Sequence, residues 1–242
     1  MRSIWIIGQR EYKRYFSTPA AYLITFFLLL IMGVIFYLNL RFAALNGTVP
    51  DMRDVFGVLI FLLVITTPAI TMNLLSEEQR MGTIELLLTA PVRDWELVVG
   101  KWLGGFLFLM TILAITLVYP ITLNFLVNPG IDQPLLLSGY LGLILFCAAL
   151  VAIGVTMSSF FSNQVAAFFL TLAIFLFLWI IGSFAQVSPA GSEVISYLDL
   201  RSHYTETFLM GVVDIRDIVY YVSLTVLSLF LGSVFTEARR WR

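Results

Sequence analysis

Charged residues are scarce in this sequence. Of its 242 residues only 12% are Asp, Glu, Lys or Arg, while 60% are hydrophobic. A soluble domain of ordinary composition carries about 25% charged residues. A water-exposed globular fold is therefore excluded, and the composition predicts an integral membrane protein.

Cysteine and histidine are nearly missing as well. Cys147 is the one cysteine and His203 the one histidine. One of each permits no intramolecular disulfide, no redox pair and no paired-histidine metal site. G-x-S-x-G is also absent, so an intramembrane enzyme would have to use a serine–histidine dyad at His203. We expect His203 to be an ordinary interfacial residue and Cys147 to serve packing alone.

The phosphate-binding loop of an ATPase is missing too. Gly100-Lys101 is the only Gly-Lys pair, and no glycine lies five residues before Gly100. Trp102 occupies the place of the Ser or Thr that would hold magnesium. We therefore expect the chain to be no enzyme and to bind no cofactor of its own.

Long apolar runs are what the sequence has in abundance. The first run is too long for the core of a signal peptide, so we interpret it as an uncleaved span. The alternation of a membrane β-barrel is absent. The predicted fold is an all-α integral membrane protein, a single domain over residues 1–242 with six transmembrane helices. These are residues 20–38, 55–75, 103–125, 135–157, 165–185 and 218–235.

The basic residues are distributed unevenly between the two sides that six spans define. An even number of spans puts both termini on one side, together with most Lys and Arg, and the positive-inside rule makes that side cytoplasmic. It holds Arg2, Arg10, Lys13, Arg14, Arg80, Arg93, Lys101, Arg239, Arg240 and Arg242, against Arg41, Arg53, Arg201 and Arg216 on the other.

The segment before the first span predicts an amphipathic helix over residues 2–17. Its apolar face holds Ile4, Trp5, Ile7, Tyr12, Tyr15 and Phe16, and its polar face Gln9, Arg10, Lys13 and Arg14. Aromatic and basic residues together favour an interfacial helix in the headgroup region. A basic tail that only sets the topology is the alternative. Thr18-Pro19 ends the helix.

The second span contains a proline among small polar residues. A proline kinks a membrane helix, and neighbouring hydroxyls can bind the freed carbonyls. The span either bends to line a polar path or carries a static packing kink. The possible pathway residues are Thr66, Thr67, Pro68, Thr71 and Asn73.

Residues 76–101 form an amphipathic insert between the second and third spans. A short helix is predicted from Thr83 to Ala90, after Gly82 and ending at Pro91. Eight residues are marginal as an isolated helix, so we expect it to pack on something.

Two carboxylates precede that short helix. Glu77 and Glu78 lie at the C-terminal end of the second span, where the helix dipole disfavours negative charge. The negative charges of these two carboxylates would be compensated by Arg80, Lys13, Arg14 or a basic surface of a partner.

Two stretches resemble a known family. Residues 78–92, EQRMGTIELLLTAPV, followed by Gly100-Lys101, resemble the cytoplasmic segment of type-2 ABC transporter permeases, where G-T-x-E-x-L-L-x-x-P follows the charged end of the second span. A second stretch is similar to the segment before the last span in the branch of gliding-motility-associated and nitrous oxide reductase maturation permeases. It comprises Ser202-His203-Tyr204, Phe208, Gly211-Val212-Val213-Asp214, Arg216-Asp217 and Val219-Tyr220.

The resemblance implies roles for both stretches. The first would be a coupling helix seated in a nucleotide-binding subunit, involving Glu77, Glu78, Arg80, Gly82, Thr83, Glu85, Leu87, Leu88 and Pro91. Residues 186–216 would form short external helices that cap the path, involving His203, Tyr204, Phe208, Gly211, Asp214 and Arg216. Spans 2 and 5 would face the pathway.

The resemblance also implies partners. These would be two copies of an ABC ATP-binding subunit, which hold the ATP and magnesium, a second permease copy or homologue, and the lipid bilayer. No nucleic-acid partner is expected. The location would be the cytoplasmic (inner) membrane, and the direction of transport export.

Two other functions stay open on the sequence. An ion-coupled secondary transporter usually places ionisable residues inside its spans, and the predicted spans contain none, although sodium coupling through carbonyls and hydroxyls remains available. An ABC membrane subunit that transmits force instead of moving cargo usually has a large external domain, and the external loops here are short.

Overall fold

The computed structural model describes residues 2–82, 93–127, 130–185, 195 and 197–240, and most of these are helical, with no strand among them. The model confirms the all-α fold and the six spans. Helices long and apolar enough to cross a membrane run over Pro19–Asn46, Met52–Arg80, Asp94–Leu126, Gln133–Phe160, Gln164–Phe184 and Ile215–Ala238.

The helices are numbered in chain order. Span 2 is made of α3 and α4 and span 3 of α5 and α6, whereas the other spans are single helices. The bounds are α1 Arg2–Ser17, α2 Pro19–Asn46, α3 Met52–Thr71, α4 Asn73–Arg80, α5 Asp94–Thr116, α6 Val118–Leu126, α7 Gln133–Phe160, α8 Gln164–Ala185, α9 Ser202–Thr205 and α10 Ile215–Arg240, with a 3₁₀ turn at Phe208–Met210 between α9 and α10.

Spans 2 and 4 form the core of the bundle. In each of them 61% of the most apolar window is buried, against 17% in span 1 and 22% in spans 5 and 6. Helix α7 of span 4 packs against α3, α5, α8 and α10. The outer spans therefore present much of their apolar surface outward, as lipid-facing helices do.

Span 2 breaks one turn after Pro68. Helix α3 ends at Thr71 and α4 begins at Asn73, with Met72 between them. The Ser158 hydroxyl of α7 donates to Met72 O and accepts from the Leu75 and Ser76 N–H groups, each at 3.0 Å. One side chain of span 4 therefore satisfies backbone groups at the break and in the first turn of α4, and the helix is interrupted one turn after Pro68, where a proline kink was predicted.

Helix α1 packs along the first half of α5 through glycines. A Cβ on Gly104 would lie 2.6 Å from Glu11 Cβ, and one on Gly100 would lie 2.8 Å from Ile7 Cβ. Gly8 makes the matching approach from α1, where a Cβ would lie 3.2 Å from Gly100 O. The backbones therefore meet closely enough to bring charged side chains of α1 onto the end of span 3.

Candidate functional site: a buried charge cluster beside the 83–92 segment

A buried lysine joins three helices at the end of the bundle where α1 lies. Lys101 of α5 is fully buried, and its Nζ lies 2.7 Å from Glu78 Oε1 of α4 and 3.2 Å from Glu11 Oε1 of α1. Both carboxylates are themselves buried. A buried charge of this kind is stable only when it is paired and hydrogen-bonded, so Lys101 fixes the positions of both acids.

Two arginines of α1 complete the arrangement. Arg10 Nη2 lies 3.2 Å from Glu11 Oε1 and 3.7 Å from Glu78 Oε1. Arg14 Nη1 lies 3.6 Å from Glu11 Oε2, and its Nη2 pairs with Glu77. We call these two arginines, Lys101 and the three glutamates the charge cluster; its three cations and three anions balance.

The electrostatics of Glu11 reflect this balance. Burial by itself raises the pKa of its carboxyl, but the positive charges of Lys101, Arg14 and Arg10 outweigh burial and hold the pKa below its usual range. Glu11 is therefore a carboxylate at neutral pH. Removing one partner of such a buried pair typically costs about 3–5 kcal/mol.

Aromatic contacts anchor the second half of α1 to the spans. The Tyr15 hydroxyl donates to Ile70 O at 2.9 Å, and its ring stacks on Phe108 of α5 at 4.5 Å. Burial raises the pKa of Tyr15 above its usual range. The Tyr12 hydroxyl bonds Thr111 Oγ1 at 2.9 Å. Helix α1 is thus attached to both span 2 and span 3.

The predicted coupling residues fall into three sets. Glu77 and Glu78 belong to the charge cluster, and Glu78 faces the interior, while Arg80 and Gly82 are exposed. Arg14 compensates Glu77 as predicted, but Lys101 and Arg10 compensate Glu78. The remaining predicted residues, Thr83, Glu85, Leu87, Leu88 and Pro91, lie outside the described residues.

Neither Glu11 nor Lys101 was among the functional residues predicted from the sequence. The signal for Glu11 is its position four residues from Ile7 and four from Tyr15, which puts it on the apolar face of α1. Lys101 was placed before the third span, whereas the structure includes it in that span. The spans therefore do carry ionisable groups, at the end where α1 packs.

The charge cluster joins the two helices that flank the 83–92 segment. Helix α4 leads into Gly82, whose φ of +68° is the left-handed conformation that glycine adopts readily. On the far side, the Glu96 carboxylate accepts from the Arg93 N–H at 3.2 Å and caps α5. Glu78 and Lys101 lie near these two ends and are paired to each other.

At the opposite end of the bundle, His203 is enclosed by aromatic and acidic groups. Its Nδ1 lies 2.6 Å from Asp217 Oδ1 and its Nε2 2.9 Å from Tyr197 O, while its ring stacks on Tyr220 at 3.9 Å. The oxygens that lie opposite the two ring nitrogens belong to Asp217 and to the Tyr197 carbonyl, so the contacts described for His203 hold the ring in place and include no serine hydroxyl.

Two other predicted cap residues, Tyr204 and Phe208, pack against span 4, and we call the turn that carries them, residues 197–214, the plug. Tyr204 and Phe208 are fully buried, and a Cβ on Gly142 of α7 would lie 2.6 Å from Phe208 Cγ. Gly211 has a φ of +85°, and Asp214 Oδ1 accepts from the Arg216 N–H at 2.9 Å at the start of α10. The Arg216 side chain is exposed.

The possible pathway residues do not share one surface. Thr67, Pro68 and Thr71 are buried within the chain, and only Thr66 and Asn73 are partly exposed. Thr66 and Thr71 donate to carbonyls of their own helix, Leu62 O at 2.8 Å and Thr67 O at 3.0 Å. The hydroxyls of span 2 thus serve the helix around Pro68.

Comparison with known families agrees with this architecture. Residues 11–235 match the family model described as ABC-2 family transporter protein. Comparison with individually curated proteins returned no match. Because the matched region takes in five whole spans, all but the last three residues of the sixth, and the charge cluster except for Arg10, the chain belongs to the ABC-2 transporter family and is a membrane component of an ABC transporter.

Proposed function

We propose that this chain is the permease subunit that couples ATP hydrolysis by a separate nucleotide-binding subunit to export of a substrate across the cytoplasmic membrane. The observation that carries the proposal is the 2.7 Å pair between Lys101 and Glu78, which links the two helices on either side of the 83–92 segment. A partner that grips this segment therefore pulls on α4 and α5 together.

The transmission of movement follows from the same contacts. Closure of two ATP-binding subunits would displace residues 82–90. Since Glu11 also binds Lys101, α1 would follow α4 and α5 as one body. The break at Met72 lets α4 change its angle to α3, while Ser158 keeps the backbone groups there satisfied. The movement would reach the core through span 2.

The assembly would contain two permease chains and two ATP-binding subunits. The charge distribution puts α1 and the charge cluster in the cytoplasm, and the aromatic α1 would lie in the headgroup region. Spans 2 and 5 would face a pathway between the two permease chains. We infer an apolar or amphipathic cargo, because the middle of the spans carries no charge. The similarity of residues 202–220 favours the gliding-motility and nitrous oxide reductase branch.

The test replaces two leucines of the proposed coupling helix. Leu87→Asp with Leu88→Asp should abolish both co-purification of the ATP-binding subunit and ATP hydrolysis in detergent-solubilised membranes, because two charges would enter an apolar contact. The matched control is Val212→Asp with Val213→Asp, an adjacent exposed apolar pair at the opposite end of the bundle, which should retain both. Normal co-purification of the leucine variant would refute the docking role.

The orientation is tested separately with single cysteines in a Cys147→Ala background. Arg80 and Arg201 are both exposed and lie at opposite ends of the bundle. In intact cells a membrane-impermeant maleimide should label Arg201→Cys and leave Arg80→Cys unlabelled until the membrane is opened. The reverse pattern would contradict a cytoplasmic charge cluster.

A further inference from the structure

A cavity of about 200 Å³ lies beside the charge cluster. Its walls are the end of α1, the first turns of α2, the junction between α3 and α4, and Gln164 at the start of α8. Spans 1 and 5 begin here and span 2 ends here, so the cavity lies at the boundary between the bilayer core and water.

The cavity has two chemically different halves. Ala21, Ile24 and Ala69 belong to an apolar wall at the start of span 1 and the end of α3. Arg14 and Glu77 belong to a polar wall, and Glu11 also borders it. A soluble ion would leave the apolar wall uncovered, and a hydrocarbon would leave the polar wall unmatched. The two halves together fit an amphipathic molecule that enters from the lipid.

The charges select the head group. Glu11 and Glu77 bring two carboxylates to the wall and Arg14 one guanidinium. A guanidinium has five N–H donors, and Arg14 meets each of the two carboxylates through a single nitrogen. As far as the described residues go, donors therefore remain for a phosphate, while the carboxylates favour an ammonium.

We propose that this cavity binds a diacyl phospholipid whose head group ends in a primary ammonium, as in phosphatidylethanolamine. The phosphate lies on Arg14, the ammonium donates to Glu77, and an acyl chain runs along Ile24. Phosphatidylcholine fits less well because its quaternary ammonium has no N–H to donate. Phosphatidylglycerol fits less well because it brings no cation to the carboxylates.

The experiment measures lipid retention by the full-length chain in detergent, using native mass spectrometry with the three lipids in turn. We expect one phosphatidylethanolamine per chain, with the other two lipids bound about tenfold more weakly, the ratio that one charge-assisted hydrogen bond supplies. Equal retention of phosphatidylethanolamine and phosphatidylcholine would overturn the proposal.

Glu77→Gln is the decisive variant. It removes the carboxylate proposed to accept from the ammonium and keeps a side chain of the same size, so phosphatidylethanolamine retention should fall about tenfold. Because Glu77 is partly exposed, the unfolding midpoint should change little. Unchanged retention would contradict the assignment. Glu206→Gln is the control, because Glu206 is exposed at the opposite end of the bundle.

Two further measurements identify the occupant. Ala69→Leu fills the cavity from span 2 and should abolish specific retention. Glycerophosphoethanolamine, which lacks acyl chains, should fail to compete; equal competition would mean that a soluble amine is bound instead of a lipid. The chain is measured without its ATP-binding subunit, so failure here leaves the coupling proposal standing, and failure of coupling leaves lipid retention unaffected.

Discussion

The Lys101 ammonium lies 2.7 Å from the Glu78 carboxylate, and the lysine is completely buried. The two residues are 23 positions apart in the chain, and the 83–92 segment lies between them. Their pairing holds α4 beside α5 at the point where the chain leaves the bundle and returns to it. Glu11 brings α1 to the same ammonium.

Loss of the Lys101 charge should lower the free energy of unfolding far more than loss of the Arg14 charge. Lys101→Met leaves Glu11 and Glu78 buried without their shared cation and should lower the free energy of unfolding by about 3–5 kcal/mol. Arg14→Gln removes a partly exposed partner and should cost about 1 kcal/mol or less. Denaturant titration in mixed micelles compares the two. Equal losses of unfolding free energy in the two variants would mean that the charge cluster is exposed to water.

The low pKa of Glu11 predicts a specific pH dependence. Because the folded-state pKa lies below the ordinary value of 4.5, the carboxylate stabilises the fold above that value, and this stabilisation is lost as the pH falls through the lower folded-state pKa. The contribution of Glu11 to the unfolding midpoint should therefore be constant between pH 7 and about pH 5. Below that range the wild type should lose stability.

Glu11→Gln is the comparison for this pH dependence. It removes the titrating group, so its stability should be lower at pH 7, and the difference from the wild type should shrink as the pH falls below about 4.5. A pH-independent difference would show that the Glu11 carboxylate does not titrate in this way.

The fold follows from sequence features that need no partner. Uncharged apolar runs require helices because the bilayer offers no hydrogen bonds to the backbone, so all six spans were predictable. Pro68 likewise pointed to an irregularity in span 2, where the helix is interrupted at Met72. The bounds of spans 2 and 3 differ from the predicted ones because the prediction counted only uncharged residues. In the structure these two spans continue into charged ends that include Glu78 and Lys101.

The charge cluster was only partly predictable. Glu77 and Glu78 stood out by their unfavourable position at a helix C-terminus, and Arg14 was among the proposed partners. The pairing of Lys101 with Glu11 depends on how closely α1 approaches α5, which Gly8, Gly100 and Gly104 permit. Sequence periodicity gives the face of each helix but not which two faces meet. The coupling role of residues 83–92 stays a prediction.

The contact between α1 and α5 makes Gly104 sensitive to a single methyl group. Gly104→Ala would put a Cβ 2.6 Å from Glu11 Cβ, so α1 must shift, and we expect a loss of about 1–3 kcal/mol in the free energy of unfolding. Gly57→Ala in α3 is the control, because no atom lies within 4 Å of its added Cβ. It should be neutral or gain up to about 1 kcal/mol. Equal tolerance at both sites would refute the close packing of α1.

The pair between His203 and Asp217 should hold the plug on span 4. His203→Ala leaves the Asp217 carboxylate buried without the imidazole that lies 2.6 Å from it, so residues 197–214 should become more accessible to protease. Glu206→Ala, at an exposed position of the same turn, should leave the cleavage rate unchanged. The ATP-binding subunit should remain bound in both variants, because the plug and the charge cluster lie at opposite ends of the bundle. Release of that subunit by His203→Ala would contradict the separation of cap and coupling site.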